Sequence, residues 1–291
     1  MSLWVLSLPT QQKERLPVQT PPQTTFDAII LAGYDPDRPH PLTQGRGEPH
    51  KVLLPVAGRP MIGYVLQALA DSGCVTSGVI VGMEPTAGLE FDLPVDYLPN
   101  RGSIFANAAA GFQHLAGRQD PRRHALLVSA DVPLLTGEMV RWFVNACQPL
   151  DKDAYWGIVE KQVLERTFPH SRRTYLRLVE GQFCNGDLFL GRIEAALRQQ
   201  ALIRELVERR KNVLSQLRLL GPRVLLKFLL RRLSMADLIG VADRVLGLQG
   251  QPVILPFAEA GMDVDKPHHL AQVEAYLRSR GQQAAGGAAH G

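Results

Sequence analysis

Short apolar runs alternate with amphipathic segments along the first half of this chain. Runs of consecutive apolar residues between turn residues indicate buried strands, and apolar residues spaced by three or four positions indicate helices. The pattern predicts strands at Ala28–Leu31, Gly78–Val81, Val95–Leu98 and Ala125–Val128, and helices at Met61–Asp71, Ser103–Leu115 and Glu138–Cys147. Such alternation is typical of parallel strands joined by crossover helices, so we expect an α/β domain.

The pattern changes after Leu150. Three β-rich stretches follow, at Ala154–Val159, Tyr175–Val179 and Gln182–Leu190. With the Glu180-Gly181 turn between the last two, they predict a small antiparallel excursion over about 151–190. A long helical and basic segment then occupies about 191–247, and we interpret it as an insertion.

The end of the chain returns to the first pattern, with a predicted strand at Pro252–Leu255 and a predicted helix at Pro267–Arg278. We therefore expect one folded domain over 26–280. Residues 1–25, which are rich in Pro, Gln and Thr, predict a flexible N-terminal tail. The small and polar residues of 281–291 predict a disordered C-terminal tail.

Composition supports a globular protein of one large or two small domains. The chain has 291 residues, of which 45% are hydrophobic and 21% are charged. Its three cysteines form no C-x-x-C pair, which argues against a disulfide framework and favours reduced thiols in the cytoplasm. The N-terminus lacks a secretory pattern, and no stretch reaches the roughly 18 apolar residues of a membrane span.

Positive charge is concentrated in one segment. The net charge of the chain is +4, but residues 202–233 contain nine cations and two acids, a local charge of +7. This distribution does not predict a general nucleic-acid surface. The apolar stretch Arg223–Leu233 has cations at its edges, and three roles stay open. This stretch packs on the core, or it pairs with a second subunit in a homo-oligomer, or it lies on an anionic membrane surface and makes the protein a peripheral membrane protein.

The first candidate site is a phosphate cradle after the first strand. That strand ends at Leu31 and Ala32-Gly33, and a long polar loop leads to Lys51. Lys51 stands just before the apolar segment Val52–Val56, which we predict as a strand, so the lysine can fold back over the glycine turn. A lysine there neutralises phosphates, with Arg46 as a second candidate, although a loop lysine is also commonly just solvated.

Two carboxylates are candidates for a magnesium site. Asp131 follows the buried strand Ala125–Val128, at the edge where open α/β sheets bind ligands. Asp263 and Asp265 point the same way in an extended segment near the end of the chain. Mg²⁺ in proteins is held by one or two carboxylates together with phosphate oxygens. Both acids also have a structural alternative, because Asp131 can cap a turn and Asp265 can cap the helix near Pro267.

A helix N-terminus supplies a further candidate. Asn100, Gly102 and Ser103 precede the helix Ser103–Leu115, and backbone N–H groups at such a position suit an anionic ligand. An ordinary N-cap turn explains the same residues. The standard P-loop, dinucleotide and nucleophile-elbow motifs are absent from the sequence. The histidines lack metal-ligand spacing, and we expect His268 and His269 on an exposed helix face.

Three motifs then occur in a recognisable order. They are Leu31-Ala32-Gly33 with Lys51-Val52-Leu53-Leu54-Pro55-Val56-Ala57-Gly58-Arg59-Pro60-Met61-Ile62, then Ser129-Ala130-Asp131-Val132-Pro133-Leu134, and finally Asp263-Val264-Asp265-Lys266-Pro267. Together, over residues 26–280, they resemble the MobA-like NTP transferases. That family is related to molybdenum-cofactor guanylyl- and cytidylyltransferases and to sugar-phosphate nucleotidyltransferases. Tyr34 departs from it, because many members have a second glycine there.

The resemblance implies a fold and a reaction. The fold is a Rossmann-like three-layer α/β/α domain of the nucleotide-diphospho-sugar transferase (GT-A) type, with a mixed, mostly parallel sheet. The reaction is attack of an acceptor phosphate on the α-phosphorus of an NTP, with release of pyrophosphate. By the same resemblance, Leu31, Ala32 and Gly33 hold the triphosphate, Lys51 neutralises it, and Asp131 and Asp265 bind Mg²⁺.

The acceptor side and two alternative functions complete the sequence-based picture. The polar residues of the β-rich region that suit a phosphorylated acceptor are Lys161, Arg172, Arg173, Asn185 and Asp187, each of which is equally explained as solvated surface. Glycosyl transfer from a nucleotide-sugar uses a related fold and is one alternative. A nucleotide-binding regulatory protein without catalysis is the other.

Overall fold

A central sheet organises the protein, whose computed structural model describes residues 24–35, 40–45, 48, 50–86, 89, 91–200 and 222–288. Its strands are β1 (Phe26–Leu31), β4 (Val75–Val81), β5 (Val95–Leu98), β6 (His124–Ser129), β7 (Ala154–Glu160), β8 (Leu176–Arg177), β9 (Gln182–Arg192) and β10 (Gly250–Leu255). A separate ribbon pairs β2 (Pro55–Val56) with β3 (Arg59–Pro60). The order across the central sheet is β10-β7-β9-β6-β1-β4-β5, and β8 pairs with β9.

Most neighbouring strands in this sheet are parallel. Strand β1 is parallel to β4 and β6, β4 is parallel to β5, and β10 is parallel to β7. Strand β9 runs antiparallel to both of its neighbours in the order, β6 and β7. The predicted mixed, mostly parallel sheet is therefore confirmed.

Helices cover both faces of the sheet. They are α1 (Met61–Asp71), α2 (Ile104–Ala116), α3 (Gly137–Ala146), α4 (Lys161–Thr167), α5 (Ile193–Arg198), α6 (Pro222–Leu229), α7 (Met235–Leu246) and α8 (Pro267–Ala288). The larger core joins α1, α3 and α8 to one face of the sheet, and a smaller core joins α2 and α5 to the other face. This arrangement confirms the three-layer α/β/α prediction.

The first strand shows why both faces are covered. Ala28 and Ile30 pack into the larger core, whereas Ile29 packs against Phe112 and Leu115 of α2. Successive side chains of a strand point to opposite faces, so a strand without polar positions needs a helix layer on each side. The continuous apolar run that predicted β1 is thus a direct consequence of its central place in the sheet.

The β-rich region predicted over about 151–190 contains antiparallel pairs, but its longer strands belong to the central sheet rather than to an excursion from it. Strands β7 and β9 lie inside the central sheet, with β9 between β6 and β7. The pairs Val128–Leu188 and Ile158–Asn185 show this directly. The physical reason is that β9 supplies hydrogen-bond partners to the backbone edges of both β6 and β7, which a peripheral hairpin would leave unpaired. The amino end of β9 consequently lies at the carboxyl-end edge of the parallel strands.

The predicted strand at Val52–Val56 is also wrong for most of its length. Lys51–Leu53 form a 3₁₀ turn, and only Pro55–Val56 pair as a strand, with Arg59–Pro60. A tight turn at Ala57 and Gly58, both with positive φ, closes this ribbon. Val52 and Leu54 are nevertheless buried, so the apolar run reflects packing against the core rather than an extra strand of the sheet.

The described part of the predicted insertion consists of α5, α6 and α7. Residues 201–221 lie outside the described residues, so a continuous helical insertion over 191–247 stays a prediction. Helices α6 and α7 contribute Val224 and Val241 to a small core with Phe183 of β9. Among the described residues, no helix is both long and apolar enough to cross a membrane.

The last helix is longer than the predicted Pro267–Arg278. Helix α8 continues to Ala288. Helical backbone therefore occupies 281–288, where the composition predicts a disordered tail. The glutamines and alanines of that stretch have high intrinsic helix propensity, so they extend a helix that is already formed.

Candidate nucleotide and metal site

The candidate site lies at the carboxyl ends of β1 and β6. The N–H of Ala130 donates to the Leu31 carbonyl at 3.0 Å, which continues the pairing of the two strands past their last residues. Gly33 and Asp131 therefore enter neighbouring loops at one edge of the sheet. This edge is where open α/β sheets bind ligands.

Lys51 lies between two carboxylates that are distant in sequence. Its Nζ donates to Asp131 Oδ2 at 2.5 Å and to Asp265 Oδ1 at 2.8 Å. The Lys51 and Asp131 side chains are largely buried, whereas Asp265 is half-exposed. Lys51 thus contacts both of the carboxylates that were predicted as metal ligands.

Electrostatics favours the charged forms of Lys51 and Asp265. Burial acts to lower the pKa of Lys51, but the charges of Asp131 and Asp265 outweigh it and raise the pKa above its ordinary value. Burial likewise acts to raise the pKa of Asp265, and Lys51 outweighs that effect and lowers it. An ammonium ion is therefore fixed between two carboxylates, in the position that a small cation would also favour.

Asp263 adds a third carboxylate to the site. One oxygen from each of Asp131, Asp263 and Asp265 lies within 4.8 Å of the other two. Carboxylate oxygens are the ligands that hard divalent cations prefer, so this cluster could hold a metal ion. Ser129 Oγ donates to Asp131 Oδ1 at 2.5 Å, which leaves Asp131 Oδ2 directed at Lys51.

The cap interpretation of Asp265 is not favoured by the structure. The carbonyl of Lys266 accepts from the N–H groups of His269 and Leu270 and begins α8. Asp265 lies one residue earlier, and its carboxylate accepts from Lys51. Its backbone N–H donates to His269 Nδ1 at 3.3 Å, so the chain around Asp265 is held from both sides.

His269 is buried, so the prediction that both histidines lie on an exposed face is wrong for it. The Ser171 carbonyl lies 3.0 Å from His269 Nε2 and 3.2 Å from the ring of the partly exposed His268. Burial lowers the pKa of His269 to about 4, and the nearby charge of Arg173 adds to this. A neutral His269 therefore braces the segment that carries Asp263 and Asp265, which sequence periodicity alone does not reveal.

Arg173 belongs to the acid cluster. Its side chain is buried, forms an ion pair with the Asp263 carboxylate and donates to the Asp263 carbonyl at 3.1 Å. A guanidinium has five donors in a rigid fork, so it fixes both the backbone and the side chain of Asp263. The alternative of a solvated surface charge does not hold for Arg173.

Asn185 and Asp187 reach the same edge from β9. The register of β7 and β9 shifts between Trp156 and Ile158, and Asp187 has a φ of 49°. A bulge of this kind re-aims a side chain, and aspartate tolerates the left-handed region. Asn185 Nδ2 donates to Asp187 Oδ1 at 2.5 Å.

The Asp187 carboxyl is buried and only partly satisfied. Its Oδ2 has no hydrogen-bond partner within the described part of the chain. Burial raises the pKa of Asp187 to about 7, and the charge of Asp131 adds to this while Arg173 opposes it. The charges that act on Asp187 are those of the acid cluster, so this residue belongs to the same site.

Gly33 is required by a close approach. A Cβ atom on Gly33 would lie 2.0 Å from Asn107 Nδ2 and 3.0 Å from Asn100 Oδ1. The buried Asn107 donates to Asn100 Oδ1 and accepts from the N–H of Arg101 at 2.7 Å. Asn100 in turn donates to the Tyr34 carbonyl at 2.6 Å. Asn100 is thus occupied in clamping the Gly33 turn, and Asn107 is a site residue that the sequence analysis missed, because it resembles an ordinary helix position.

Ser103 is the N-cap of α2. Its hydroxyl accepts a hydrogen bond from the Ala106 N–H at 3.2 Å, so the alternative of an ordinary N-cap turn is correct for this side chain. Gly102 has a φ of 79°, and its N–H donates to Asn100 Oδ1. The clamp at Gly33 thereby connects the start of α2 to the Gly33 turn.

Other loop residues are placed as follows. Tyr34 does not have a positive φ, so a side chain is accommodated where relatives have glycine. His40 Nε2 lies 3.9 Å from Asp265 Oδ1, and burial together with Lys51 lowers the His40 pKa. Arg46 lies outside the described residues.

Lys161 and Arg172 form no ion pair with the acid cluster in the part of the chain that the structure describes. Lys161 begins α4, lies 3.9 Å from Glu165 and lines a cavity of about 260 Å³ beside β8 and β9. Arg172 is exposed and has a φ of 51°. These two residues remain predictions for acceptor binding.

Comparison with known proteins identifies the family. A profile of the MobA-like NTP transferase domain matches residues 28–213, which is more than half of the chain. The chain belongs to the MobA-like NTP transferase family. The matched range includes Gly33, Lys51 and Asp131, and Asp265 lies beyond it.

Similar proteins agree with membership of this nucleotidyltransferase family. The chain is 29% identical over 128 residues to the bifunctional protein GlmU of Rhizorhabdus wittichii, which is 43% of this chain and 27% of that protein. It thus spans only about a quarter of that relative's length. A hypothetical transferase from Thermus thermophilus is 35% identical in sequence, with a TM-score of 0.73 over 85% of this chain and 100% of that one.

More distant structures share the fold. The CMP:2-keto-3-deoxy-manno-octonic acid synthetase in complex with CTP is 13% identical, with a TM-score of 0.57 over 88% of this chain and all of that one. At this identity the likeness concerns architecture alone. It agrees with the Rossmann-like class that the family motifs predicted.

Proposed function

We propose that this family member is a Mg²⁺-dependent enzyme that transfers NMP from an NTP to a phosphorylated acceptor and releases pyrophosphate. The observation that carries the proposal is the position of Lys51 between Asp131 and Asp265, beside the clamped Gly33 turn. One cationic group and several carboxylates at such an edge suit a metal-bound triphosphate. The proposed catalytic unit is the domain over 26–280.

Asp131 and Asp265, with Asp263, are the proposed metal ligands. Mg²⁺ at this position would supply positive charge to the phosphate oxygens and hold the triphosphate in one orientation. Lys51 Nζ lies within hydrogen-bonding distance of two of these carboxylates. We infer that Lys51 exchanges these contacts for phosphate oxygens when the substrate is bound, because the same ammonium cannot serve both.

The proposed triphosphate site is the backbone of Leu31, Ala32 and Gly33. The absence of a Cβ at Gly33 allows the turn to approach Asn107 closely, and Gly33 itself is exposed, whereas the Ala32 N–H already donates to the Val81 carbonyl at 2.9 Å. The start of α2, with Gly102 and Ser103, adds the positive end of a helix dipole.

The chain's residues position and neutralise rather than form a covalent intermediate. An acceptor phosphate oxygen bonds to the α-phosphorus while the bond from that phosphorus to the bridging oxygen breaks, and pyrophosphate leaves with the bonding electrons. Lys51 stabilises the negative charge that develops on the leaving group. Phosphoryl-type transfer depends mainly on positioning and charge, so no nucleophilic side chain is required.

The acceptor side is proposed to be the amino end of β9. Asn185 is exposed there, next to the buried Asp187, while Arg173 is already occupied by Asp263. We therefore assign Arg173 to holding Asp263 and leave acceptor contact to Asn185, with Lys161 and Arg172 as secondary candidates. CTP is the first nucleotide to test, because the synthetase with the shared fold was solved with CTP.

Pyrophosphate release tests the proposal. Each of the four NTPs is incubated with Mg²⁺ and a panel of sugar, polyol, pterin and lipid phosphates, and pyrophosphate is measured by an enzyme-coupled assay. We expect release with one acceptor class, and its loss in Asp131→Asn and in EDTA. Release that persists in a double Asp131→Asn, Asp265→Asn variant would show that these carboxylates do not carry the reaction.

A further inference from the structure

Helix α6 packs against the protein on one side and is exposed to solvent on the other. Val224 and Leu233 are buried in a small core with Ile158 and Phe183 of the central sheet. Four large apolar side chains of the same segment, Leu226, Phe228, Leu229 and Leu230, remain between 47% and 66% exposed. Packing on the core therefore accounts for only part of this apolar segment, and we call the four exposed side chains the apolar ridge.

The three leucines of the apolar ridge are neighbours on the helix surface. Leu226, Leu229 and Leu230 are spaced by three and four positions, so they share one side of the helix and of the turn that ends it. Phe228 lies two positions after Leu226 and therefore projects from the other side of the helix. Monomeric proteins seldom leave a contiguous group of large apolar side chains in water, and such a patch usually marks an interaction site.

Cations border the apolar ridge. Residues 222–233 contain Arg223, Lys227, Arg231 and Arg232 and no acid. Lys227 Nζ is paired with Asp237 Oδ1 at 2.6 Å. Arg231 and Arg232 are exposed, and neither forms an ion pair within the described residues.

The charge pattern decides between a second copy and a lipid surface. A symmetric dimer through the apolar ridge would set residues 222–233 of one copy against the same segment of the other, and because this segment contains cations and no acid, only like charges would meet there, which is unfavourable. An anionic bilayer accepts leucine and phenylalanine at its acyl boundary and attracts arginine at its headgroups. We propose that the apolar ridge and its arginines dock this protein on an anionic lipid bilayer.

The docking surface and the candidate site share strands. Ile158, which anchors the helix, is paired with Asn185 in the sheet, and Phe183 stands two residues before Asn185. The acceptor end of β9 therefore lies on the same strand as the anchor of the apolar ridge. The proposal itself does not depend on the reaction, since it concerns only attachment.

Vesicle sedimentation of the full chain tests the proposal. One set of vesicles is pure phosphatidylcholine, and the other is an equimolar mixture of phosphatidylcholine and phosphatidylserine. We expect binding to the anionic set only. Arg231→Gln with Arg232→Gln should weaken it by roughly tenfold or more, because each basic residue contributes about fivefold near such a surface. Leu226→Ser with Leu229→Ser should also weaken it strongly.

Matched controls come from exposed residues elsewhere. Ile254→Ser changes an apolar side chain that is 53% exposed on β10, and Arg122→Gln changes an exposed cation, so neither should alter vesicle binding. Thermal melting confirms that each variant is folded.

Three outcomes would overturn the proposal. The first is equal binding to both vesicle sets, or to neither. The second is a wild-type dimer, seen by analytical ultracentrifugation, that the leucine variant dissociates without any vesicle binding. The third is unchanged vesicle binding with lowered thermal stability in the leucine variant, which would indicate that these leucines stabilise the fold rather than bind lipid.

Discussion

Replacing Lys51 with methionine removes the cation between Asp131 and Asp265 while keeping most of its apolar volume. Lys51 and Asp131 are largely buried, and breaking a buried ion pair costs about 3–5 kcal/mol because the remaining charge is left uncompensated. The half-exposed Asp265 adds only about 0–1 kcal/mol. We expect a loss of about 3 kcal/mol, which is roughly 6 °C in Tm for a domain of this size.

Calorimetry with and without Mg²⁺ is the assay. In the wild type a cation must displace the Lys51 ammonium from two carboxylates, whereas in Lys51→Met those carboxylates are open. Mg²⁺ should therefore raise the Tm of the variant more than that of the wild type, by the usual linkage between binding and stability. Mg²⁺-NTP binding should nevertheless be weakened in the variant, since the phosphates lose their lysine.

Lys152→Met is the matched control. Lys152 Nζ pairs with Asp151 at 2.7 Å near the surface, and such a pair contributes about 1 kcal/mol or less. The reasoning is refuted if Lys51→Met lowers Tm no more than Lys152→Met and Mg²⁺ stabilises both variants and the wild type equally.

Two further substitutions probe the clamp and the buried acid. Gly33→Ala should lower Tm and weaken NTP binding, because its Cβ would lie 2.0 Å from Asn107 Nδ2 and such overpacking costs about 1–3 kcal/mol. Thermal melting and titration calorimetry measure these two effects. An unchanged Tm would show that the turn relaxes freely. Asp187 has a raised pKa of about 7, so its contribution to stability is full below the ordinary carboxyl pKa and is lost as pH rises through 7. In metal-free protein, the Tm of Asp187→Asn should therefore rise relative to that of the wild type as the pH increases from 5 to about 8. A Tm difference that stays constant with pH would contradict the raised pKa of Asp187.

The α/β architecture and the three motif segments could be predicted because their signals are local. A continuous apolar run such as Ala28–Leu31 indicates a strand that is buried on both faces. The position of Asp131, soon after the strand Ala125–Val128, indicates that it lies at the carboxyl-end edge of the sheet. The family motifs then join Lys51, Asp131 and Asp265, and the structure places these three side chains in contact.

The remaining features depend on contacts between residues that are distant in sequence, so local sequence patterns could not predict them. Strand β9 looks like half of a hairpin in sequence, and only its register with β6 and β7 shows that it lies inside the central sheet. Asn107 occupies an unremarkable helix position, and its role appears only when Gly33 approaches it. His269 was assigned to an exposed face because neighbouring polar residues suggest solvent, whereas its partner is the distant Ser171 carbonyl.

The central claim is that Lys51, Asp131 and Asp265 form the site of a metal-bound nucleoside triphosphate. Titration calorimetry of ATP, CTP, GTP and UTP into the wild-type protein, once with Mg²⁺ and once with EDTA, tests it most directly. The account predicts that at least one of these nucleotides binds with Mg²⁺ and that Asp131→Asn or EDTA abolishes the binding. Failure of all four to bind with Mg²⁺, or equal affinity in EDTA, would contradict it.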